Sequence, residues 1–423
     1  MEGVIIMATV KPFRGLRPRT DVADKVAILP VDSLEKSKIE EIVEKNEHAF
    51  FRVTSPHLYH PEIGLDEHGK RTMNKHSRDF LDHMLEEGVL VKDDKPTLFI
   101  YKQIIGDTVL TGIVGCTAVD DYLENRIKKH EFTRSEKETD ISHHIDYCNA
   151  NTGTIYLIYR WQKEIEDIVN DVMSRTPEYD FVTDDGVEHL VWPVSDTAKL
   201  QELTGLFEKV DNLYIADGHH RTAAAARVCM ERRKKDPDYT GEEEFNYFLA
   251  VLFPDKDLNI MDYNRLVKDL NGLTEEEFLA KLSENFKVEK CAAGVQFKPQ
   301  KTHEFGMYLN GSWYKFTAGA GTYDDSHPQK CLDVVVLQNS ILDPILGIKD
   351  PRTDERIDFV AGVLGMDELE VRASTDMKVA FAVYPCSVKE LMDVADIGEV
   401  MPPKATWFEP KLRSGLFIHP FEH

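Results

Sequence analysis

The chain has 423 residues, of which 42% are hydrophobic and 30% charged, and a formal net charge of -24. That length holds two or three domains, each with its own core. The acidic balance opposes nonspecific nucleic-acid binding, which depends on neutralising phosphates with Lys and Arg. No run approaches 18 consecutive apolar residues, so no membrane partner is expected.

The opening, MEGVIIMATVKPFRG, lacks the basic region, long apolar core and cleavage site of a secretory signal. Met7 is a candidate start alongside Met1. The six cysteines (Cys116, Cys148, Cys229, Cys291, Cys331, Cys386) form no CxxC pair and read as reduced thiols in a cytoplasmic protein.

In chain order, SLEKSKIEEIVEKN (33–46) has helical spacing, with Ile39, Ile42 and Val43 on one side. HSRDFLDHMLEEG predicts a helix stopping at Gly88. TLFIYKQII and TVLTGIVGC flank Gly106-Asp107 as a β-hairpin. The charged stretch from Asp120 to Asp146 has a helical bias. GTIYLIYR (153–160) reads as a strand, WQKEIEDIVNDVMSR as a helix, and LVWPV (190–194) and NLYIA (212–216) as short strands. TAAAARVCMERRKK is a strong helix former. FNYFLAVLF (245–253) is nearly continuous in apolar residues, as in a strand buried on both faces.

From about residue 271 the character changes. Thr274 and Glu277 form a capping box for a helix, and Asn310-Gly311 marks a second hairpin. KVAFAVY (378–384) is a strand, followed by a helix capped by Ser387 and Glu390. The tail, MPPKATWFEPKLRSGLFIHP, is rich in proline yet full of Trp, Phe and Leu, and predicts an ordered, packed extension. The fold class is α/β with mixed sheets.

One segment concentrates chemistry: YIADGHHRTAAAARV (214–228) puts Asp217, Gly218, His219, His220 and Arg221 at a strand-to-helix joint. First-turn amides of a helix lack intrahelical partners and attract anions. Gly218 lets the backbone approach a ligand, and Arg221 offers a planar fork matched to phosphate. The plainer alternative is an Asp-capped corner with two solvated histidines.

A second cluster, IKKHEFTRSEKETDISHHIDYC, holds His130-Glu131 beside Arg134, then Lys137, Asp140, His143, His144 and Asp146. It is not HExxH, which needs histidine at Arg134. Glu131 is a candidate general base if the fold places it beside the anion site. A metal site of Glu131, His143 and His144, a metal-dependent hydrolase through His130, His143 and His144, and an exposed salt-bridged helix all stay open here.

HEFTR and YIADGHHRTAAA, with the early KPFRGLRP and the late MPPKATWFEPKLRSGLFIHP, resemble the family called domain of unknown function 1015 along nearly the whole chain. Its members are similar to ParB-like proteins and sulfiredoxin, in which a Gly-and-Arg turn at a helix start cradles nucleotide phosphates. The free serine kinases of that superfamily carry a His-Glu pair upstream and a DGHHR-type turn downstream. The resemblance implies a ParB-like, sulfiredoxin-like nucleotide-binding core carrying insertions (126–270), between an N-terminal α/β region (8–125) and an α/β C-terminal part (271–423).

It implies a phosphotransferase acting between ATP or ADP, with Mg²⁺, and a small hydroxyl-bearing metabolite, serine first. Glu131, of the pair His130-Glu131, would be the base, and Asp217 would orient the turn or the metal. Gly218, His219, His220, Arg221 and Thr222 would bind phosphates, and Arg134, Lys137 or Lys404 would grip the substrate. Ala405 stands where the family usually has serine, while Lys404 and Thr406 remain. The alternative is a nucleotide-binding switch without small-molecule turnover. A homodimer is compatible with either.

Overall fold

The structure is a computed structural model that describes residues 8–422; Met7 lies outside them. The fold is mixed α/β, and the chain divides into two compact units where the sequence suggested three regions. The first takes the described residues up to Leu258 together with those from Pro410 onward, and the second is Asn259–Glu409.

The first unit is built on a nine-stranded mixed sheet. Its path runs from Ile127–Lys128 through Leu213–Asp217, Ile155–Tyr159, Tyr247–Pro254, Thr108–Ala118, Leu98–Ile105 and Glu188–Val194 to Tyr179–Val182. Val10–Lys11 pairs with Thr108–Ala118. Residue 125 therefore falls between strands of one sheet, because strand pairing joins segments that are distant in sequence.

Tyr247–Pro254 lies inside the sheet, parallel to Ile155–Tyr159 and antiparallel to Thr108–Ala118. Its unbroken apolar sequence follows from that position. Phe248, Ala250 and Leu252 join a core with Ile165, Val169, Leu203, Ala224 and Val228 from three helices. Those helices are Lys163–Met173, Thr197–Phe207 and His219–Lys235. The hairpin at Gly106-Asp107 forms with Ile105 opposite Thr108, and Gly106 has φ +55.

A smaller core gathers Phe50, Phe51 and Val53 with Leu81 and Met84 of the long helix Glu67–Glu86. Asp66 caps that helix by accepting from the Gly69 amide at 2.8 Å. The sequence placed the helix's end but not its early start. The tail packs into this unit: Leu416, Phe417 and Ile418 are buried, and Phe417 meets the rings of Phe99 and Tyr101 at 5.3 and 5.7 Å. Ile418 and Leu16 exchange backbone hydrogen bonds of 2.9 and 3.0 Å.

The second unit carries a six-stranded antiparallel sheet, with Phe286–Lys290, Ser312–Ala318, Glu304–Leu309, Val379–Ala382, Tyr263–Val267 and Ile357–Ala361 in spatial order. Both capping boxes form, Thr274 with Glu277 and Ser387 with Glu390. Leu309 pairs with Ser312 across Asn310-Gly311, whose two residues have positive φ.

Truncating the tail's aromatic anchor tests its place in the core. Phe417→Ala is expected to cost about 3–5 kcal/mol and lower the urea-unfolding midpoint. An unchanged midpoint would remove the tail from the first unit's core.

Candidate active site

The strand Leu213–Asp217 ends in a bulge and delivers Asp217 to the end of the sheet where its strands run out. Gly218 follows at φ +101, a conformation costly for any residue with a Cβ, and the helix His219–Lys235 begins. A Cβ at Gly218 would also lie 3.3 Å from Arg221 Nε. No side chain caps this helix start, and first-turn amides of a helix lack intrahelical partners. Thr222 is buried, and its Oγ1 donates to the Gly218 carbonyl at 3.1 Å. It closes the turn from behind.

The HEFTR segment reaches the same place by topology. Ile127–Lys128 runs parallel to Leu213–Asp217, with Ile127 opposite Leu213. Parallel neighbours leave a sheet at the same end, so the loop holding Glu131 and the turn holding Asp217 emerge side by side.

Two hydrogen bonds then fix the loop to the helix. The His130 amide donates to His219 Nε2 at 3.4 Å, and the Arg134 amide donates to His220 Nε2 at 3.0 Å, spanning 89 and 86 residues of sequence. The DGHHR histidines thus accept from the HEFTR backbone at Nε2. The rings of His130 and His219 meet edge to face at 4.5 Å. Burial pushes His130 down to about 4 and His219 well below the usual imidazole range, so both rings are neutral near pH 7.

Glu131, Lys137, Asp217, Gly218, His219, His220 and Arg221 line one cavity of about 570 Å³. The helix Ser135–Cys148 supplies Lys137, Asp140, His143 and His144 to it. His144 Nε2 is 2.8 Å from Thr152 Oγ1, and burial lowers this ring to about 4 as well. Ser55, His57, Lys70 and Asn74 form wall that no sequence motif announced, as do Asn151–Gly153. Lys70 pairs with Asp140 at 2.8 Å.

Arg221 donates through Nη1 to the Thr154 carbonyl. Its guanidinium lies between Gly218 and Gly153, where a Cβ would stand 3.3 and 3.4 Å away. Two glycines therefore leave room for the fork. Asp217 is half-exposed to the cavity; burial works against its charge, but Lys411 at 3.6 Å and Arg221 at 3.9 Å hold its carboxyl down at about 2. Lys411 comes from the tail, and its carbonyl accepts from Gln103 Nε2 at 3.1 Å. It sits in the quoted EPKLRSG block, whose lysine carries no spacing signal of its own.

His130 and Thr222 stand behind the wall, and Arg134 takes part through its backbone amide. Lys404 belongs to the second unit, where its Nζ lies 5.5 Å from the Tyr263 ring centre. Among the described residues no group of three or more His, Cys, Asp or Glu side chains could hold a metal ion. Glu131, His143 and His144 line the cavity, whereas His130 is buried behind it.

The neutral histidines give a test with a definite sign. Their pKa values are lowered on folding, so their contribution to stability is full above about pH 6.5 and falls as pH drops toward 4, where the unfolded chain takes up protons first. Proton NMR titration should show His130 and His144 with midpoints near 4. Midpoints near the ordinary imidazole value would contradict the burial of these two rings.

No curated protein matches the chain. Among solved structures it is similar to a free serine kinase in complex with AMP, at 13% identity and TM-score 0.34, covering 70% of this chain and 86% of that one. It is similar to a conserved hypothetical protein from Pyrococcus furiosus, at 14% identity and TM-score 0.34, covering 74% and 96%. A C-terminally truncated SbnI from Staphylococcus aureus shows 10% identity and TM-score 0.37, covering 71% and 85%. Similarity this low says nothing about substrate. The family model described as "Protein of unknown function (DUF1015)" matches residues 10–335, and the chain belongs to that family.

Proposed function

We propose that the cavity is a phosphotransferase site acting between a nucleotide, ATP or ADP, and a small hydroxyl-bearing metabolite, free serine first. The observation that carries this reading is the shared wall: a carboxylate, Glu131, and a helix start with Arg221 line the same cavity. Its volume of about 570 Å³ falls within the range of small-molecule sites. Serine as acceptor rests on the resemblance of the HEFTR and DGHHR blocks to free serine kinase motifs.

In this mechanism the amides of the His219–Lys235 start and the Arg221 fork hold the nucleotide's phosphates. Glu131 takes the proton from the acceptor hydroxyl. The hydroxyl oxygen forms a bond to the terminal phosphorus as the bond from phosphorus to the bridging oxygen breaks. The shortened nucleotide leaves with the electron pair, its added charge met by donors already in place. Lys137, or a neighbouring cation such as Lys70, grips the acceptor's carboxylate.

Mg²⁺ is commonly bound by one or two carboxylates plus phosphates and water rather than by a protein cage. Asp217, ionised on the cavity wall, fits that mode. When bound, the ion neutralises phosphate charge. His219 and His220 support the same reading by keeping Glu131 beside the helix start.

Incubation with Mg²⁺, L-serine and ATP or ADP, followed by phosphorus NMR, should give a phosphoserine signal. Glu131→Gln is expected to lower turnover by about 10²–10⁴ with nucleotide affinity kept. Arg221→Lys is expected to weaken nucleotide binding about tenfold or more, the loss of a planar fork. Nucleotide binding without any turnover in the unmodified protein would sink the phosphotransferase reading in favour of a switch.

A further inference from the structure

A second cavity of about 200 Å³ lies in the first unit, lined by Arg52, Pro56, Tyr59, His60, His76, Asp79, Phe80 and His83. Pro56 also lines the larger cavity. The helix Glu67–Glu86 serves both: Lys70, Met73 and Asn74 face one cavity, and His76, Asp79, Phe80 and His83 face the other.

The chemistry here is incomplete. Arg52 is half-buried with its guanidinium carbon 4.1 Å from the Tyr59 ring centre and 5.4 Å from that of Phe80. Its Nε is buried without a hydrogen-bond partner, as is the Tyr59 hydroxyl. Among the described residues no carboxylate forms an ion pair with Arg52; Asp79 shares the wall without reaching it. Taking a cation partly out of water without a counter-ion is costly, and a bound anion offsets that cost.

Three imidazoles line the cavity with the arginine. His60 and His76 stack at 4.1 Å, and His83 lies 5.9 Å from Phe80. Imidazole N–H groups and a guanidinium fork together can approach one ligand from several sides, which suits the oxygens of a tetrahedral oxyanion. The volume is below that of sites for nucleotide-sized ligands.

We infer that this second cavity is a binding site for a small phosphate-class anion, inorganic phosphate or a compact phosphomonoester, centred on Arg52 and separate from the larger cavity. The inference does not depend on the function proposed above. The two cavities can be told apart by substitution. Calorimetric titration of the full chain at constant ionic strength would use inorganic phosphate in one arm and glycerol 3-phosphate in the other, and the tighter arm identifies the source.

Binding should persist in Arg221→Ala, which disables the larger cavity's anion fork, and weaken at least about tenfold in Arg52→Met. His76→Ala, which leaves the arginine's stacking in place, should weaken it as well. Thermal melting without phosphate checks that each variant is folded. Binding lost in Arg221→Ala, or binding retained in both Arg52→Met and His76→Ala, would overturn the inference.

Discussion

Two hydrogen bonds from backbone amides to imidazole nitrogens hold the candidate site together. The helix that begins at His219 grips the loop after Ile127–Lys128 through its first two side chains, and the loop carries Glu131. The grip works because adjacent parallel strands release both segments at one end of the sheet. It also works because the His219 ring stays neutral, since a protonated Nε2 cannot accept. Burial of His219 among a second histidine and a cationic neighbourhood secures that state. The paired histidines of the motif thus position a carboxylate, a role that phosphate contact alone would not require.

The charge pattern around this joint differs from that of the whole molecule. A net charge of -24 repels anions on average. Local fields, however, are set by nearby groups rather than by the total. Arg221, Lys411, Lys137 and Lys70 stand in or beside the cavity, and Asp217 sits between the first two. Lys411 arrives on a tail fixed by a buried polar network. Arg413 donates to Asp185 at 2.6 Å and to His189 Nε2 at 3.3 Å, and His189 Nδ1 lies 2.8 Å from the Tyr101 hydroxyl. The end of the chain therefore helps set the charge state of a residue near its middle.

What could be read from the sequence was mostly local. The hairpins at Gly106-Asp107 and Asn310-Gly311 and the capping boxes of Thr274 and Ser387 depend on neighbouring residues, and they form as read. The continuous apolar run of Tyr247–Pro254 foretold its buried position because burial on both faces leaves no place for polar alternation. Short strands such as Tyr179–Val182 and Ile357–Ala361 carry too few residues to show a period and were not anticipated. The joint at Gly218 was legible because its residue types are rare together. Its far wall was not, since Ser55, His57 and Asn74 come from ordinary polar positions that only tertiary packing brings to the cavity. Lys404 and Lys411 lie seven residues apart in one quoted block, and nothing in the spacing told which of them stands beside Asp217.

The most direct measurement is an experimental structure of the protein with ADP bound. The terminal phosphate should lie within hydrogen-bond distance of the amides at the start of His219–Lys235 and of the Arg221 guanidinium, with the Glu131 carboxylate facing the open side of that phosphate. A nucleotide seated elsewhere, or phosphates directed away from this helix start, would contradict it.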